Sequence, residues 1–232
     1  MQQYYKIAGL KVKMDCFGRT LAQAEPYRCE PFDEPEIVIE ASKEEISQKY
    51  SQFADEIGEH MVTGAHFYRQ LLDYDGMMLH SSAVVVDGKA YLFTADSGTG
   101  KSTHTRLWLE KFADSAFILN DDKPALRLED GTWYAYGTPW SGKEDISVDI
   151  RVPVAGIAVV YRSQTNTIEP FKGVAVIHAI LKQVNRPASK EYREKLLELM
   201  DKLITRVPIW KLQCNMNPEA AEVSYRAMSG KG

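Results

Sequence analysis

Between Phe93 and Thr105 the chain reads FTADSGTGKSTHT. Gly98 and Gly100 let the backbone curl so that successive N–H groups converge on an anion. Lys101 follows at the reach of a β- or γ-phosphate, and the Ser102 hydroxyl is the kind of oxygen that Mg2+ takes at such loops. The general pattern G-x-x-x-x-G-K-[ST] asks for glycine where this chain has Ala95. That position lies at the end of the apolar run AYLFTA, ahead of the glycines that approach phosphate closely, so the methyl is expected to be tolerated. A helix beginning near Gly100 would aim its positive end at the bound anion.

A second group of chemically able residues follows about 20 positions later, in ILNDDKP. Asp121 and Asp122 end an apolar run, and neighbouring side chains of an extended segment point to opposite sides. One carboxylate can then face a metal while the other faces a hydroxyl. Alone, the pair reads as an exposed turn before Pro124, since Asp favours turns. Beside a phosphate loop it reads as the acidic strand end that such enzymes need for Mg2+. Lys143, in WSGKED, is an exposed loop lysine by default, with contact to a transferring phosphoryl group as the alternative.

The elements that must position these residues follow from pattern. MMLHSSAVVVDGKAYLFTA holds two β-rich runs joined by Asp87-Gly88, a hairpin signal because both residues tolerate positive φ. STHTRLWLEKFA predicts a helix, AFILNDD a strand, PALRLEDGTWYAYGTPW a second hairpin turning at Asp130-Gly131, and VPVAGIAVVYR a buried strand. Residues 174–206 predict helices interrupted near Pro187. VPIWKLQC predicts a late strand and NPEAAEVSYRAM a last helix, with Asn217 as N-cap and Pro218 at its first position. Upstream, residues 1 to 40 read as short strands and turns, KEEISQKYSQFADEI as one amphipathic helix, and HFYRQLLDYDG as another that stops near Gly76. The fold class is therefore α/β, mixed, with much antiparallel sheet, rather than a regular βαβα alternation. Two regions are expected: 1–76, strands and helices that bind a substrate or cover the sheet, and 77–232, carrying the loop.

Bulk properties exclude several classes. Net charge is −4 with no long basic run, so no nucleic-acid partner is expected. No apolar stretch approaches the ~18 residues of a membrane span. MQQYYKIAGL lacks a basic segment before a long apolar one, so no signal peptide is expected. Cys16, Cys29 and Cys214 have no CxxC spacing, which suits reduced thiols and a cytoplasmic location.

Taken in order, LHSSAVVVDGKAYLFTADSGTGKST and then NDD resemble the HPr kinase/phosphorylase family, whose P-loop domain is akin to that of phosphoenolpyruvate carboxykinase. The resemblance covers roughly residues 77–160 and is most specific in the Asp-Ser-Gly core of the loop. The chain departs from that family at Thr103, where glutamate is usual, and in lacking a recognisable signature for the reverse, phosphate-removing reaction. An additional arginine of that family has no placed counterpart. The short chain and its GTPWSGKED loop look more like the small stand-alone HPr-kinase-like proteins found with peptide-modification gene clusters.

The resemblance implies an ATP-dependent, Mg2+-requiring kinase acting on a Ser or Thr hydroxyl of a protein or peptide. It implies Asp96, Ser97, Gly98, Thr99, Gly100, Lys101, Ser102 and Thr103 as the nucleotide loop, with Lys101 also assisting catalysis. His80 enters only through it, since a lone strand histidine is more often structural. In the mechanism so implied, Ser102 and Asp122 hold Mg2+, Asp121 takes the hydroxyl proton, and His80 orients Asp121. The exchange of the two aspartate roles stays open. So do a small-molecule kinase, a nucleotide hydrolase and a non-catalytic nucleotide-binding module. The resembled family forms oligomers, which leaves a homo-oligomer open. No base-reading motif is visible, so weak selectivity between ATP and GTP is expected.

Overall fold

Two sheets organise the chain in the computed structural model, which describes residues 3–230. The first holds β1 (Gln3–Ile7), β2 (Leu10–Asp15) and β3 (Ile37–Glu40) in the order β1-β2-β3. Alternation in β2 buries Leu10, Val12 and Met14, exposes Lys11 and Asp15 and leaves Lys13 half-buried. Helix α1 (Gly18–Ala24) follows β2 where only strands and turns were expected. The expected single helix over 43–57 is two: α2 (Lys43–Tyr50), capped by Ser42 Oγ accepting from Glu45 N at 3.1 Å, and α3 (Asp55–Gln70). The chain turns at 51–54, and α3 then runs unbroken through the segment expected to start a separate helix.

The second sheet has nine strands. After β4 (Gly76–Met78) come β5 (Ser81–Val86) and β6 (Lys89–Thr94), the hairpin expected at Asp87-Gly88, with both turn residues at positive φ. Helix α4 (Lys101–Phe112) leads to β7 (Ala116–Asp122), then to the hairpin β8 (Ala125–Glu129) and β9 (Thr132–Tyr136) and to the long β10 (Arg151–Arg162). β11 (Thr167–Pro170), α5 (Val174–Leu181), α6 (Lys190–Arg206), β12 (Ile209–Cys214) and α7 (Glu219–Ser229) complete the chain. The order is β4-β8-β9-β10-β6-β5-β7, with β12 on β10 and β11 on β12. Within this sheet, among the described residues, only β10 with β6 and β10 with β12 are parallel pairs, and in the smaller sheet β2 with β3 is parallel. The mixed α/β class with much antiparallel pairing is thus observed.

One face of this sheet buries Leu92, Ile157 and Val159 against Val176 and Ile180 of α5 and Leu199 and Leu203 of α6. The other buries Tyr91, Phe93 and Ala158 against Trp108 of α4 and Ala221 and Met228 of α7. Trp108 is fully buried and donates from Nε1 to Ser224 Oγ at 2.9 Å, so α4 is fixed in rotation against α7. The three-stranded sheet shares a third core with Phe67 and Tyr68 of α3 and with Ala125, Tyr136 and Trp140. Among the described residues no helix is long and apolar enough to cross a membrane, and Cys16, Cys29 and Cys214 are free thiols.

Candidate functional site

β5 sets the geometry because it pairs on both edges. Ser81 lies opposite Thr94 of β6 on one side and Asp122 of β7 on the other. The end of β6, which enters the glycine loop, and the end of β7, which carries the aspartates, therefore flank the start of β5, immediately after His80. Side chains alternate across the sheet. The row Phe93–Ser82–Asp121 faces α4, where Ser82 Oγ meets Thr105 Oγ1 at 3.0 Å. The row Thr94–Ser81–Asp122 faces the opposite way.

The loop from Ala95 to Gly100 joins β6 to α4 with Gly98 at φ +75° and Gly100 at φ +118°, conformations that favour glycine. Ala95 is buried and is not among the residues with left-handed φ, so its methyl imposes no strain. Lys101 Nζ donates to the Ala95 carbonyl at 2.9 Å, folded back along the loop. Burial lowers the Lys101 pKa, against the pull of Asp122, Asp121 and Asp96. Ser102 Oγ lies 3.0 and 3.1 Å from the two oxygens of Asp121. Asp96, Ser97 and Thr103 are exposed, and Thr99 closes a turn on the Asp96 carbonyl.

His80 meets the other carboxylate. Its Nε2 lies 3.0 Å from Asp122 Oδ1, and Lys123 Nζ holds Asp122 Oδ2. Burial pushes the Asp122 carboxyl up, but the His80 hydrogen bond and the Lys123 charge outweigh it and hold the group well below the usual carboxylate range. The expected pairings are exchanged: Ser102 sits on Asp121 rather than Asp122, and His80 on Asp122 rather than Asp121. The physical reason is strand parity, since Asp121 shares its face with α4 and Asp122 does not.

Asp122 has φ +137°, a conformation residues with side chains rarely adopt. Such strain costs about 1–3 kcal/mol and persists where neighbours enforce it. Asn120, fully buried, is one enforcer: its Oδ1 accepts from Lys123 N at 2.8 Å, while its Nδ2 donates to Thr138 O and Ser147 Oγ, each at 3.1 Å. Tyr68 is another, donating its hydroxyl proton to the Lys123 carbonyl.

Several residues of the site carried no sequence signal. Gln183, just beyond α5, accepts at 3.0 Å from His80 Nδ1 and donates to Asp96 Oδ1 at 3.1 Å, linking loop and histidine. Arg162, at the end of β10, donates to the carbonyls of Thr99, at 3.2 Å, and Gly98. Beyond β9, Gly142 N donates to the Asp121 carbonyl at 2.5 Å, and a Cβ on Gly142 would stand 2.6 Å from that oxygen. Arg19 of α1 holds the same turn through the Gly142 carbonyl at 2.5 Å, and Arg106 of α4 pairs with Glu144 on it. Lys143, on this turn, is exposed. Asn120 lies in ILNDDKP beside the two aspartates, and its full burial marks it out.

A cleft of about 690 Å³ opens beside the loop, lined by Gly98, Gly100, Leu107, Val160, Gln164 and Met216 among others. Among the described residues no three His, Cys, Asp or Glu are gathered into a metal site. The family described as SynChlorMet cassette protein ScmC matches residues 56–223, and the chain belongs to it. No curated protein matches. A solved structure that the chain is similar to, the Hpr(Ser) kinase/phosphatase from Coxiella burnetii, is 12% identical. The match covers 67% of this chain and 99% of that one, with a TM-score of 0.39.

Proposed function

We propose that this member of the ScmC family is a phosphotransferase that moves the γ-phosphoryl group of a nucleoside triphosphate, ATP in the first instance, onto a Ser or Thr hydroxyl of a peptide. One observation carries the reading: two adjacent carboxylates divided across a sheet, Asp121 on the loop serine and Asp122 on a histidine. A loop that merely holds nucleotide needs the first of these and has no use for the second.

The loop N–H groups and Lys101 would hold the phosphates, with Lys101 exchanging the Ala95 carbonyl for a phosphate oxygen. The cleft beside Leu107, Val160 and Met216 is large enough for a nucleoside, since small-ligand sites run to about 300–1,000 Å³. Mg2+ fits the residues present. Ser102 Oγ and the Asp121 carboxylate are hard oxygen donors side by side at the loop, and Mg2+ completes its shell with phosphates and water. When bound it supplies charge neutralisation at the β- and γ-phosphates. Asp122, ionised and oriented by His80 and Lys123, would accept the hydroxyl proton as the acceptor oxygen bonds to Pγ. The bond from Pγ to the bridging oxygen breaks, and the nucleoside diphosphate leaves with that electron pair. Residues 1–76, through α1 and α3, would cover the turn behind Asp121 and offer the surface nearest the acceptor.

The test is to incubate the protein with γ-labelled ATP, Mg2+ and serine- or threonine-containing peptides, beginning with any encoded beside its own gene. Label on peptide supports the reading. Label only on a metabolite makes it a small-molecule kinase, and label only in phosphate makes it a hydrolase. Tight binding with no turnover makes it a nucleotide-binding module.

A further inference from the structure

A second cavity, about 200 Å³, lies between α3 and the catalytic end of the sheet. Its walls include Tyr50, Met61, Tyr68 and Trp140, and Lys123 reaches it from the strand end. Because Lys123 also holds Asp122, the cavity begins one side chain away from the carboxylate proposed to receive the acceptor proton. We propose that it is the recognition subsite for the acceptor, taking a planar aromatic side chain with a hydrogen-bond donor on its edge, such as the indole of a tryptophan next to the phosphorylated hydroxyl. The acceptor role rests on the phosphotransferase reading; the ligand chemistry does not.

The chemistry comes from His60, which lines the cavity and is only 7% exposed. Once the Glu59 carboxyl, raised by burial to about 7, is ionised, Thr20 Oγ1 donates its one proton to Glu59 Oε2 at 2.5 Å and can only accept from His60 Nδ1, 3.1 Å away. Nδ1 therefore carries the proton. Nε2, on the ring edge away from α1, is a bare acceptor, and it is one of two buried side-chain nitrogens without a partner among the described residues. Burial, reinforced by Arg19 and Lys123, pushes His60 down to about 4, which keeps the ring neutral at neutral pH, and Nε2 accepts wherever Glu59 is ionised. Two other polar groups of the wall are occupied: Trp140 Nε1 donates to Thr63 Oγ1 at 3.1 Å, and the Tyr68 hydroxyl to the Lys123 carbonyl; Tyr50 and Asn185 add a hydroxyl and an amide to the wall. A buried acceptor left unpaired costs about 1–3 kcal/mol, so a donor entering the cavity gains by satisfying it.

Size and surroundings select the occupant. A dry cavity of ~150 Å³ holds benzene, so this one has room for a bicyclic ring. Ile57 and Met61, one helical turn apart on α3, are exposed, as is Phe53 before the helix. Met61 also lines the cavity, so an apolar ridge runs from it along α3. A free small molecule would leave that ridge uncovered, whereas a peptide with one ring in the cavity can lie along it.

The probes are indole and 1-methylindole, which differ by the donor alone, titrated at about pH 8, where Glu59 is ionised, into the full-length protein while the ring nitrogens of 15N-labelled His60 are followed. Indole is expected to bind about three- to tenfold more tightly, the value of one hydrogen bond, and to shift Nε2. A65W, which fills the cavity from a wall position, should abolish both binding events. Equal affinities, an unmoved Nε2, or binding that survives a folded A65W would overturn the proposal; the first two need no variant. The acceptor role is tested with serine peptides bearing tryptophan or phenylalanine beside the serine. The tryptophan peptide should have the higher kcat/KM by a similar factor, and equal values overturn that role. Indole selectivity with no transfer to any peptide overturns the phosphotransferase reading and upholds the ligand chemistry.

Discussion

Replacing each aspartate by asparagine separates the two faces of the strand. In D122N the amide oxygen can still accept from His80, but the charge that orders Lys123 and receives the hydroxyl proton is gone. Loss of a general base costs roughly 10²–10⁴ in rate, or about 2.7–5.4 kcal/mol of barrier at 1.36 kcal/mol per decade. Nucleotide binding should change less than about twofold, because Asp122 faces away from Ser102. Stability should move by about 1 kcal/mol or less. The side chains of His80, Asp122 and Lys123 are 30%, 26% and 36% exposed, pairs of that kind are worth little, and asparagine tolerates positive φ better than most residues. D121N should do the reverse. It removes a charged donor from beside the loop serine, and Mg-ATP affinity should fall by at least about tenfold, the loss seen even for outer-shell metal partners. The assays are Mg-ATP titration by calorimetry and single-turnover transfer at saturating nucleotide. If D122N weakens Mg-ATP as much as D121N does and leaves single-turnover transfer intact, the assignment by strand parity is wrong.

Lys101→Ala should lower Mg-ATP affinity by about 10- to 100-fold, the worth of a charge-assisted hydrogen bond, with little change in Tm, since its side chain bonds, among the described residues, to the Ala95 carbonyl of its own loop. Gly142→Ala places a methyl 2.6 Å from the Asp121 carbonyl; relief by displacing the turn should cost about 1–3 kcal/mol, read as a lower Tm together with slower transfer. Burial raises Glu59 from 4.5 to about 7. The folded state then binds the extra proton between those values, so stability falls as pH rises through that window, by on the order of 3 kcal/mol in all. Tm measured from pH 4 to 8 should show that slope, and E59Q should flatten it. ATP and GTP should bind within about tenfold of each other, a difference of ~1.4 kcal/mol; a hundredfold preference in competition titration would mean that the cleft beside Leu107 reads the base.

The glycine loop, its strand and its helix were legible because each rests on local chemistry: two glycines at positive φ, a lysine and serine at the helix start, and an apolar run before them. The hairpins at Asp87-Gly88 and Asp130-Gly131 were legible for the same reason. Pairing partners were not. That Asp121 and Asp122 diverge follows from strand geometry, but which one faces α4 depends on the register of β7 against β5, and no residue within ILNDDKP fixes that register. Gln183 and Arg162 join the loop only through tertiary contacts between segments 60 or more residues apart. Helix α1 escaped notice because it is seven residues long and lacks a side-chain cap. The turn at 51–54 escaped because KEEISQKYSQFADEI has no glycine or proline to mark it.

The turn after β9 belongs to the larger sheet by chain position and to the N-terminal layer by its bonds. Arg19 and Gln23 of α1 hold Ser141, Gly142 and Asp145, and Thr63 of α3 holds Trp140, whose ring stacks on Phe67 at 4.7 Å. The two halves are therefore not interchangeable parts. A hybrid joined near position 76, with the front of one relative and the back of another, would set foreign contacts behind Asp121 even with every loop residue intact. Substitutions at 19, 23 and 63 should consequently be inherited together with those at 140–145, and shuffled libraries should recover active hybrids only where both sets come from one parent.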